Sequence, residues 1–310
     1  MSLIYRIENI GCMHFFGFVC IFLWNFEFFG FYLTETMEPN ALKGLDMIDL
    51  VAALRFSNEV ADDAGRVALR HFRKPLAVEL KADETPVTLV DREIEALLRT
   101  RIAHSYPEHG IFGEEEAPTN IENSFVWVID PIDGTKSFVT GHPLFGGLMA
   151  LLRDGEPCLG QIDMPATGER WSGVSGGPST LNGTPCATSD CCDLASAYVY
   201  TTDPMLFAGS KQTVFQMLKE KARLLRFGGD CYNYALLASG FCDLVVETGL
   251  EPYDFLPVVQ VVRGAGGVIT DWNGDPLGLG SSGDVLAAAT PELHAQLLEH
   301  LRTLQATEAA

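Results

Sequence analysis

The sequence FVWVIDPIDGT at residues 125–135 is the most informative stretch of the chain, because an uninterrupted apolar run ends directly in two acids and a glycine. The apolar residues Phe125 to Ile129 are typical of a strand that is buried on both faces of a sheet. Asp130 is then the last residue of that strand, at the edge where α/β proteins bind ligands. Asp133 follows after a proline and an isoleucine, so both carboxylates are predicted to point into one pocket.

The residues after Asp133 are those that a phosphate-binding turn requires. Gly134 allows a sharp turn, and the N–H groups behind it, with the Thr135 hydroxyl, can hold phosphate oxygens. An isolated D-P-x-D segment would favour a solvated Asx turn with Thr135 as a helix cap. The full string is expected by chance in roughly one chain in ten thousand of this length, so we interpret it as functional.

The periodicity of apolar residues predicts helices and strands that alternate along the chain. Helices are expected at 49–72, 210–222, 232–239 and 254–262, and from Pro291 onward. Another helix is expected to run from a cap at Thr88, with Asp91 at its third position, to Pro107. Pro257 is expected in the first turn of the helix at 254–262. Strands are expected at 125–129, 144–152, 158–162, 241–247 and 285–289, with a hairpin turn at Asp154-Gly155, and a loop at 81–88. This mixture predicts a layered α/β (α+β) arrangement.

Three other segments place acids near predicted element ends. They are Gly113-Glu114-Glu115-Glu116, Tyr253-Asp254, and Thr88 with Asp91. Each has an ordinary explanation, since glutamate runs are usually exposed faces, an aspartate at a helix start is a common N-cap, and Thr88 with Asp91 can form a capping box. None of these segments alone indicates a functional site, and only their combination does.

Together with residues 125–135, these segments resemble the inositol monophosphatase family of magnesium-dependent phosphatases. The similar stretches, in the family's order and spacing, are KADETPVTLVD (81–91), GEE (113–115), WVIDPIDGTKSF (127–138) and YDFLPVVQVVRGAGGVITDW (253–272). Within the family, GGDCYNYALLASG (228–240) and VVETGLEPYD (245–254) are most similar to the histidinol-phosphatase branch. The resemblance implies an inositol monophosphatase/fructose-bisphosphatase-like sugar phosphatase fold, with alternating helix and sheet layers.

The resemblance also implies a magnesium centre with two or three ions per chain. Glu114, Asp130 and the carbonyl of Ile132 would bind the first Mg²⁺, and Asp130, Asp133 and Asp254 the second. Such ions neutralise the repulsion between carboxylates and a phosphate dianion, and they clamp the attacking and leaving oxygens of an in-line displacement.

The catalytic groups implied by the resemblance are Glu114, Asp91 and Thr135. Glu114, or Thr135 paired with Asp91, would take the proton of a metal-activated water. Gly134 and Thr135, with the neighbouring Lys136, would frame the phosphate.

The substrate implied by the branch is histidinol phosphate, hydrolysed to histidinol in histidine biosynthesis. Histidinol carries an ammonium and an imidazole, so its pocket should offer further acids, and Asp230 and Glu247 are the candidates. Asp230 is explained nearly as well as an N-cap of the helix from Tyr232. Inositol 1-phosphate or another sugar or nucleotide phosphate stays open as the substrate. A regulatory binding protein with residual phosphatase activity also stays open.

Composition excludes several other classes of function. The chain has 310 residues, and 41 acidic against 21 basic residues give a net charge of −20. This charge repels nucleic acids, whereas a bound cation can still admit a small anionic substrate. The 8 cysteines form no C-x-x-C pair. They therefore predict reduced thiols in a cytoplasmic protein and argue against a zinc or redox site.

The sequence contains parts of two other known motifs, but neither motif matches fully. Haloacid-dehalogenase-type phosphatases use D-x-D-G-T, but Pro131 occupies the position of the nucleophilic aspartate and cannot attack phosphorus. The G-x-G-x-x-G at 278–283 precedes a predicted strand instead of following one, so we interpret it as a loop.

Residues 1–41 differ in composition from the rest of the chain and carry an apolar run at 12–33. The run is long enough to cross a bilayer, but Glu27 and other polar residues lie inside it. We interpret 1–41 as a leader that reflects the choice of start site, with a membrane anchor or a packed segment as alternatives. Residues 42–182 and 183–310 are the expected subdomains, the first carrying most metal ligands. The family resemblance implies a homodimer.

Overall fold

The computed structural model describes residues 47–75, 78–80 and 86–308, which all belong to one structural unit, Glu38–Ala310. The apolar run at 12–33 and the segment 81–85 lie outside the described residues, so the interpretations placed on them stay predictions. Within the described ranges, every helix is too short or too polar to cross a bilayer.

Two long helices precede the large sheet. The first elements are α1 (Met47–His71), β1 (Val78–Leu80), β2 (Pro86–Thr88) and α2 (Leu89–Ser105), with β1 and β2 antiparallel. The predicted capping box at the start of α2 is confirmed, because the Thr88 hydroxyl accepts the Val90 N–H and the Thr88 N–H donates to Asp91 Oδ2 at 2.9 Å. The predicted loop is wrong at 86–88, where the chain pairs with β1 and forms a strand. A three-residue segment that begins with proline is too short to show a strand pattern in the sequence.

The seven-stranded sheet runs in chain order from β3 to β9. Its strands are β3 (Gly110–Gly113), β4 (Phe125–Asp133), β5 (Gly146–Arg153), β6 (Glu156–Met164), β7 (Glu169–Val174), β8 (Thr180–Leu181) and β9 (Thr184–Pro185), with α3 (Thr135–Thr140) after β4. Strands β3 and β4 are parallel and the other neighbours are antiparallel. The predicted hairpin is confirmed, since Asp154 and Gly155 both have positive φ, at 49° and 85°.

The five-stranded sheet has the order β11-β10-β12-β14-β13. Its elements and their helices are β10 (Tyr198–Thr201), α4 (Lys211–Lys221), β11 (Leu224–Phe227), α5 (Tyr232–Ala238), β12 (Leu244–Glu247), α6 (Pro252–Gly264), β13 (Val268–Asp271), β14 (Val285–Ala288) and α7 (Pro291–Glu308), with short 3₁₀ turns at Leu194–Ser196 and Pro204–Leu206. Helix α6 begins at Pro252, two residues before the predicted start, so Pro257 lies inside the helix and not in its first turn. The expected loop at 278–283 is confirmed, because the segment between β13 and β14 has no regular structure.

The layers alternate as predicted, which confirms the mixed α/β fold. Helices α1 and α2 pack against one face of the seven-stranded sheet, and α6 packs against its other face. The core around α6 also includes Val245 of the five-stranded sheet, whereas its neighbour Val246 points into a second core beneath α7. This alternation is what a strand buried on both faces produces.

Strand β4 brings its acids to the α6 side of the large sheet. Val126 and Val128 lie in the core shared with α6, while Trp127 contacts Phe56 of α1, with ring centroids 5.5 Å apart. Asp130 has the same parity as the two valines and therefore faces α6. The strand does not end at Asp130 as predicted, because pairing with β5 resumes at Asp133 after an irregularity in register. Such bulges re-aim side chains, and here one strand carries two acids toward one pocket.

Glycines in the sheet permit the close approach of α6. A Cβ added at Gly160 would lie 2.2 Å from the Pro257 carbonyl oxygen. We predict that Gly160→Ala lowers the free energy of unfolding by about 1–3 kcal/mol, because the helix backbone must move. The matched control is Gly278→Ala, where an added Cβ meets nothing within 4 Å. Guanidinium unfolding measures both, and equal stabilities of the two variants would contradict the packing argument.

Candidate active site

Three carboxylates converge where β4 meets the start of α6. Asp130, Asp133 and Asp254 each offer one oxygen, and these oxygens lie within 4.8 Å of one another. Asp130 is fully buried, and the other two are half-buried. Asp254 lies more than a hundred positions after Asp133 in the sequence, and the structure places it at one site with Asp130 and Asp133.

Glu114 joins this group because β3 and β4 are parallel neighbours. Gly113 at the end of β3 is paired with Ile129, so the next residues of the two strands, Glu114 and Asp130, emerge side by side. Burial raises the pKa of Asp130 most, and the charge of Glu114 and a hydrogen bond between the two carboxyl groups raise it further. Glu114, which directly follows Gly113, therefore lies beside Asp130 and faces the three aspartates.

One oxygen of each converging aspartate accepts a backbone N–H. Asp130 Oδ1 accepts from Ile132 at 3.0 Å, Asp133 Oδ2 accepts from Cys231 at 2.6 Å, and Asp254 Oδ2 accepts from Glu251 at 2.8 Å. These bonds fix the plane of each carboxylate. This arrangement suits a hard cation, which takes oxygen ligands from several carboxylates.

Burial and mutual repulsion raise the pKa values of the three aspartates. For Asp130 and Asp254 the main cause is burial, followed by neighbouring carboxylates. The pKa of Asp133 is raised to about 7, first by burial and then by the charge of Asp230. Within the described part of the chain, no basic side chain is among the main influences on these three pKa values. The group therefore needs protons or cations to balance its charge, and its donor set fits divalent ions.

Asp91 serves the capping box and the site at once. Its Oδ2 accepts the Thr88 N–H and hydroxyl, while its Oδ1 lies 3.5 Å from the Thr135 hydroxyl. The Thr135 hydroxyl also lies 3.0 Å from the Ile132 carbonyl oxygen, to which it donates. The ordinary explanation of Asp91 as a capping residue is thus correct, and it does not compete with a role beside Thr135.

The turn at Gly134 leads directly into α3. Gly134 has φ +77°, in the left-handed region that favours glycine, and a Cβ there would lie 2.9 Å from Asp230 Oδ2. Thr135 is the first residue of α3, so the N–H groups of the first helical turn lack acceptors within the helix. The predicted phosphate-binding residues therefore border both Asp91 and Asp230.

Asp230 lies at the rim of the site and is not a helix cap. The residue before α5 is Cys231, whose side chain makes no capping hydrogen bond, and its N–H is taken by Asp133. Asp230 Oδ2 instead accepts a long hydrogen bond from the Ser137 hydroxyl at 3.4 Å. The N-cap explanation of Asp230 is therefore wrong. Its own backbone is strained, with φ +46° in a residue other than glycine.

Glu247 is buried at the end of β12. Its Oε1 accepts the Thr202 N–H at 2.7 Å and the Thr202 hydroxyl at 2.9 Å, and its Oε2 accepts the Thr201 hydroxyl at 3.2 Å. Burial raises the pKa of Glu247 to about 8. Glu247 thus ties β12 to the end of β10, and its contact with a substrate stays a prediction.

Two contributors to the site were not found in the sequence. The Cys231 amide that donates to Asp133 is a backbone group, so the residue type at this position gives no signal of its role. Tyr234 is buried in the core, but its hydroxyl has no hydrogen-bond partner in the described residues. Its pKa is raised by burial and then by the charges of Glu247, Asp254 and Asp133.

Comparison with known proteins supports this description. The sequence profile of the inositol monophosphatase family matches residues 49–306. The chain is 45% identical over 273 residues to a protein named bifunctional phosphatase IMPL2, chloroplastic, of Arabidopsis thaliana, covering 85% of this chain and 78% of that protein. It is 38% identical over 223 residues to a histidinol-phosphatase of Chlorobaculum parvum, covering 71% and 86%.

The fold is similar to that of a solved inositol monophosphatase from Zymomonas mobilis. The TM-score is 0.75 at 42% identity, over 81% of this chain and 98% of that one. Sequence and fold agree with the acidic site described above. The chain therefore belongs to the inositol monophosphatase family, and it is a phosphatase that hydrolyses phosphate monoesters.

Proposed function

We propose that this chain is a Mg²⁺-dependent histidinol-phosphate phosphatase. The observation that supports its metal dependence is the convergence of Asp130, Asp133 and Asp254, each of which offers one carboxylate oxygen within 4.8 Å of the others. The observation that supports the substrate is the strained, rim-located Asp230. A cytoplasmic homodimer acting in histidine biosynthesis is the setting that we propose for this activity.

The acids would share two or three divalent ions. Glu114, Asp130 and the Ile132 carbonyl would hold one ion, and Asp130, Asp133 and Asp254 another. When bound, Mg²⁺ would neutralise the acids, attract the phosphate and supply a water of lowered pKa. The backbone bonds to Asp130, Asp133 and Asp254 keep the carboxylates oriented before the substrate arrives.

The chain's own groups would orient the phosphate and move the proton. The first-turn N–H groups of α3 and the Thr135 hydroxyl are available to phosphate oxygens. Asp91 can accept a proton through Thr135, since its Oδ1 lies 3.5 Å from that hydroxyl. Glu114 is the alternative proton acceptor, because it stands beside Asp130 at the open ends of β3 and β4.

The rim of the site favours a cationic leaving group. Asp230 is an acid whose pKa is raised by burial, while the Ser137 hydroxyl, Lys136 and His142 lower it. A left-handed conformation in a residue other than glycine costs roughly 1 kcal/mol or more, and such strain concentrates at functional sites. The ammonium of histidinol would offset the Asp230 charge. The relative named histidinol-phosphatase supports this choice.

Inositol 1-phosphate is the second candidate substrate. The similarity in sequence and fold to the inositol monophosphatase of Zymomonas mobilis favours it. Glu247 is compatible with either substrate, because a buried carboxylate can accept from a sugar hydroxyl as well as from an ammonium.

The direct test is phosphate release from a panel of substrates. We predict Mg²⁺-dependent kcat/KM for histidinol phosphate at least tenfold above that for inositol 1-phosphate, fructose 1,6-bisphosphate and adenosine 3′,5′-bisphosphate. Asp130→Asn controls for contaminating phosphatases and should lose activity while its melting temperature persists. Turnover of inositol 1-phosphate with none of histidinol phosphate would overturn the substrate assignment.

Asp230 should set substrate preference. We predict that Asp230→Asn lowers kcat/KM for histidinol phosphate tenfold or more, because the ammonium loses its counter-charge, and lowers that for a neutral sugar phosphate less than threefold. Asp203→Asn is the control, since Asp203 is a nearby acid whose side chain instead accepts the Met205 N–H. Equal losses with both substrates would remove the role of Asp230 in specificity.

Metal affinity should rise with pH. The pKa of Asp133 is raised to about 7, so between roughly pH 4 and 7 the folded protein keeps a proton that the unfolded chain has lost. Without metal, this group therefore makes the fold less stable as pH rises through that window. A divalent cation needs the ionised form, so we predict about tenfold tighter Mg²⁺ binding at pH 8 than at pH 6 by calorimetry.

The control for this pH dependence is Asp133→Asn, which removes the titrating group. Its affinity for Mg²⁺ should be weaker overall and should change less with pH than that of the wild type. Wild-type affinity that is the same at both pH values would show that protons and cations do not compete at Asp133.

A further inference from the structure

A buried carboxylate on α2 holds the segment that carries Glu114. Glu95 is fully buried, its Oε2 accepts the Glu115 N–H at 2.7 Å, and its Oε1 accepts the Glu116 N–H at 3.0 Å. Two consecutive backbone donors therefore end on the two oxygens of one side chain. The segment just after Glu114 is fixed to the helix by this bidentate contact.

Arg99 closes the contact into a ring. Its Nε donates to Glu95 Oε1 at 2.8 Å, and its Nη2 donates to the Glu116 carbonyl oxygen at 2.8 Å. The guanidinium thus bonds both the carboxylate and the segment that the carboxylate holds. Planar guanidinium groups suit such paired geometry, because their donors are rigidly arranged.

Gly113 permits the approach from the other side of Glu114. A Cβ at Gly113 would lie 2.4 Å from Glu95 Oε1 and 2.9 Å from Arg99 Nη2. The carboxylate therefore packs directly on the backbone before Glu114 and bonds the backbone after it. Glu114 is the residue between these two fixed points.

One face of α2 serves two parts of the site. Asp91, Glu95 and Arg99 are spaced by four residues, which places them along one face of the helix. Asp91 reaches Thr135, and Glu95 reaches the segment after Glu114. A rigid helix thus sets the distance between the phosphate turn and Glu114.

We propose that Glu95 and Arg99 are positioning residues that hold the Glu114 carboxyl toward Asp130 for cation binding, a role that rests on the proposed function of Glu114 as a metal ligand. Burying a charged pair seldom stabilises a fold more than apolar residues would. A carboxylate placed to accept two adjacent N–H groups, beside a site that is already rich in acids, is better explained by the geometry it imposes on Glu114.

The first test compares the same substitution at two positions of α2. We predict that Glu95→Gln weakens Mn²⁺ binding to the folded protein about tenfold or more, measured by electron paramagnetic resonance, because an amide cannot accept both N–H groups. Glu93→Gln is the matched control, since Glu93 is exposed and pairs with Arg70 on the surface. It should bind Mn²⁺ within twofold of the wild type. In Glu95→Gln, kcat at saturating metal should fall much less than the affinity.

Arg99→Gln separates positioning from simple electrostatics. Removing a positive charge near an acidic site would by itself tighten cation binding, whereas loss of the bond to the Glu116 carbonyl should weaken it. We expect at least threefold weaker Mn²⁺ binding in Arg99→Gln and in the uncharged change Gly113→Ala, which displaces Glu95. Both variants keep the test valid if Glu95→Gln does not fold. Binding in Arg99→Gln that is as tight as in the wild type, or tighter, overturns the proposal.

Glu114→Gln separates this proposal from the proposed function. If Glu114→Gln weakens Mn²⁺ binding and Arg99→Gln does not, only the positioning role of Glu95 and Arg99 is wrong. If Glu114→Gln binds Mn²⁺ as the wild type does, the assignment of Glu114 as a metal ligand is wrong, and the positioning proposal falls with it.

Discussion

The structure of the site depends on holding like charges together in a buried place. Carboxylates repel one another, and burial removes the water that would screen them. The chain offsets part of this repulsion, because one oxygen of each of Asp130, Asp133 and Asp254 accepts a hydrogen bond from a backbone N–H. Each bond stabilises the ionised form and fixes the direction of the carboxylate. The pKa values remain raised in spite of these bonds, which is why the site favours cations.

The layers of the fold supply those backbone donors. Parallel pairing of β3 and β4 sets Glu114 beside Asp130. The start of α5 offers the Cys231 N–H to Asp133, and the start of α6 presents Asp254 in its first turn. Both helices belong to the layer between the two sheets, so the large sheet, the small sheet and the helices between them must all form before the acids can meet.

The sequence predicted the structure best where a few neighbouring residues are sufficient to specify a feature. The capping box of Thr88 and Asp91, the Asp154-Gly155 turn and the acids after the FVWVI run are each specified by a few neighbouring residues. The convergence of distant acids came from the family resemblance and not from periodicity. What failed depends on tertiary structure. Strand β4 continues past Asp130 because β5 resumes pairing at Asp133. Asp230 does not cap α5, because Cys231 is the residue before that helix and the Asp230 carboxylate accepts from the Ser137 hydroxyl instead. The short strands β10, β11 and β13 likewise owe their pairing to distant partners.

The most direct measurement is anomalous diffraction from crystals of the full chain soaked in Mn²⁺. We predict at least one strong peak within about 2.5 Å of carboxylate oxygens from Asp130 and from at least one of Glu114, Asp133 and Asp254. Mn²⁺ that binds elsewhere, with no peak among these four acids at saturating concentration, would contradict this prediction.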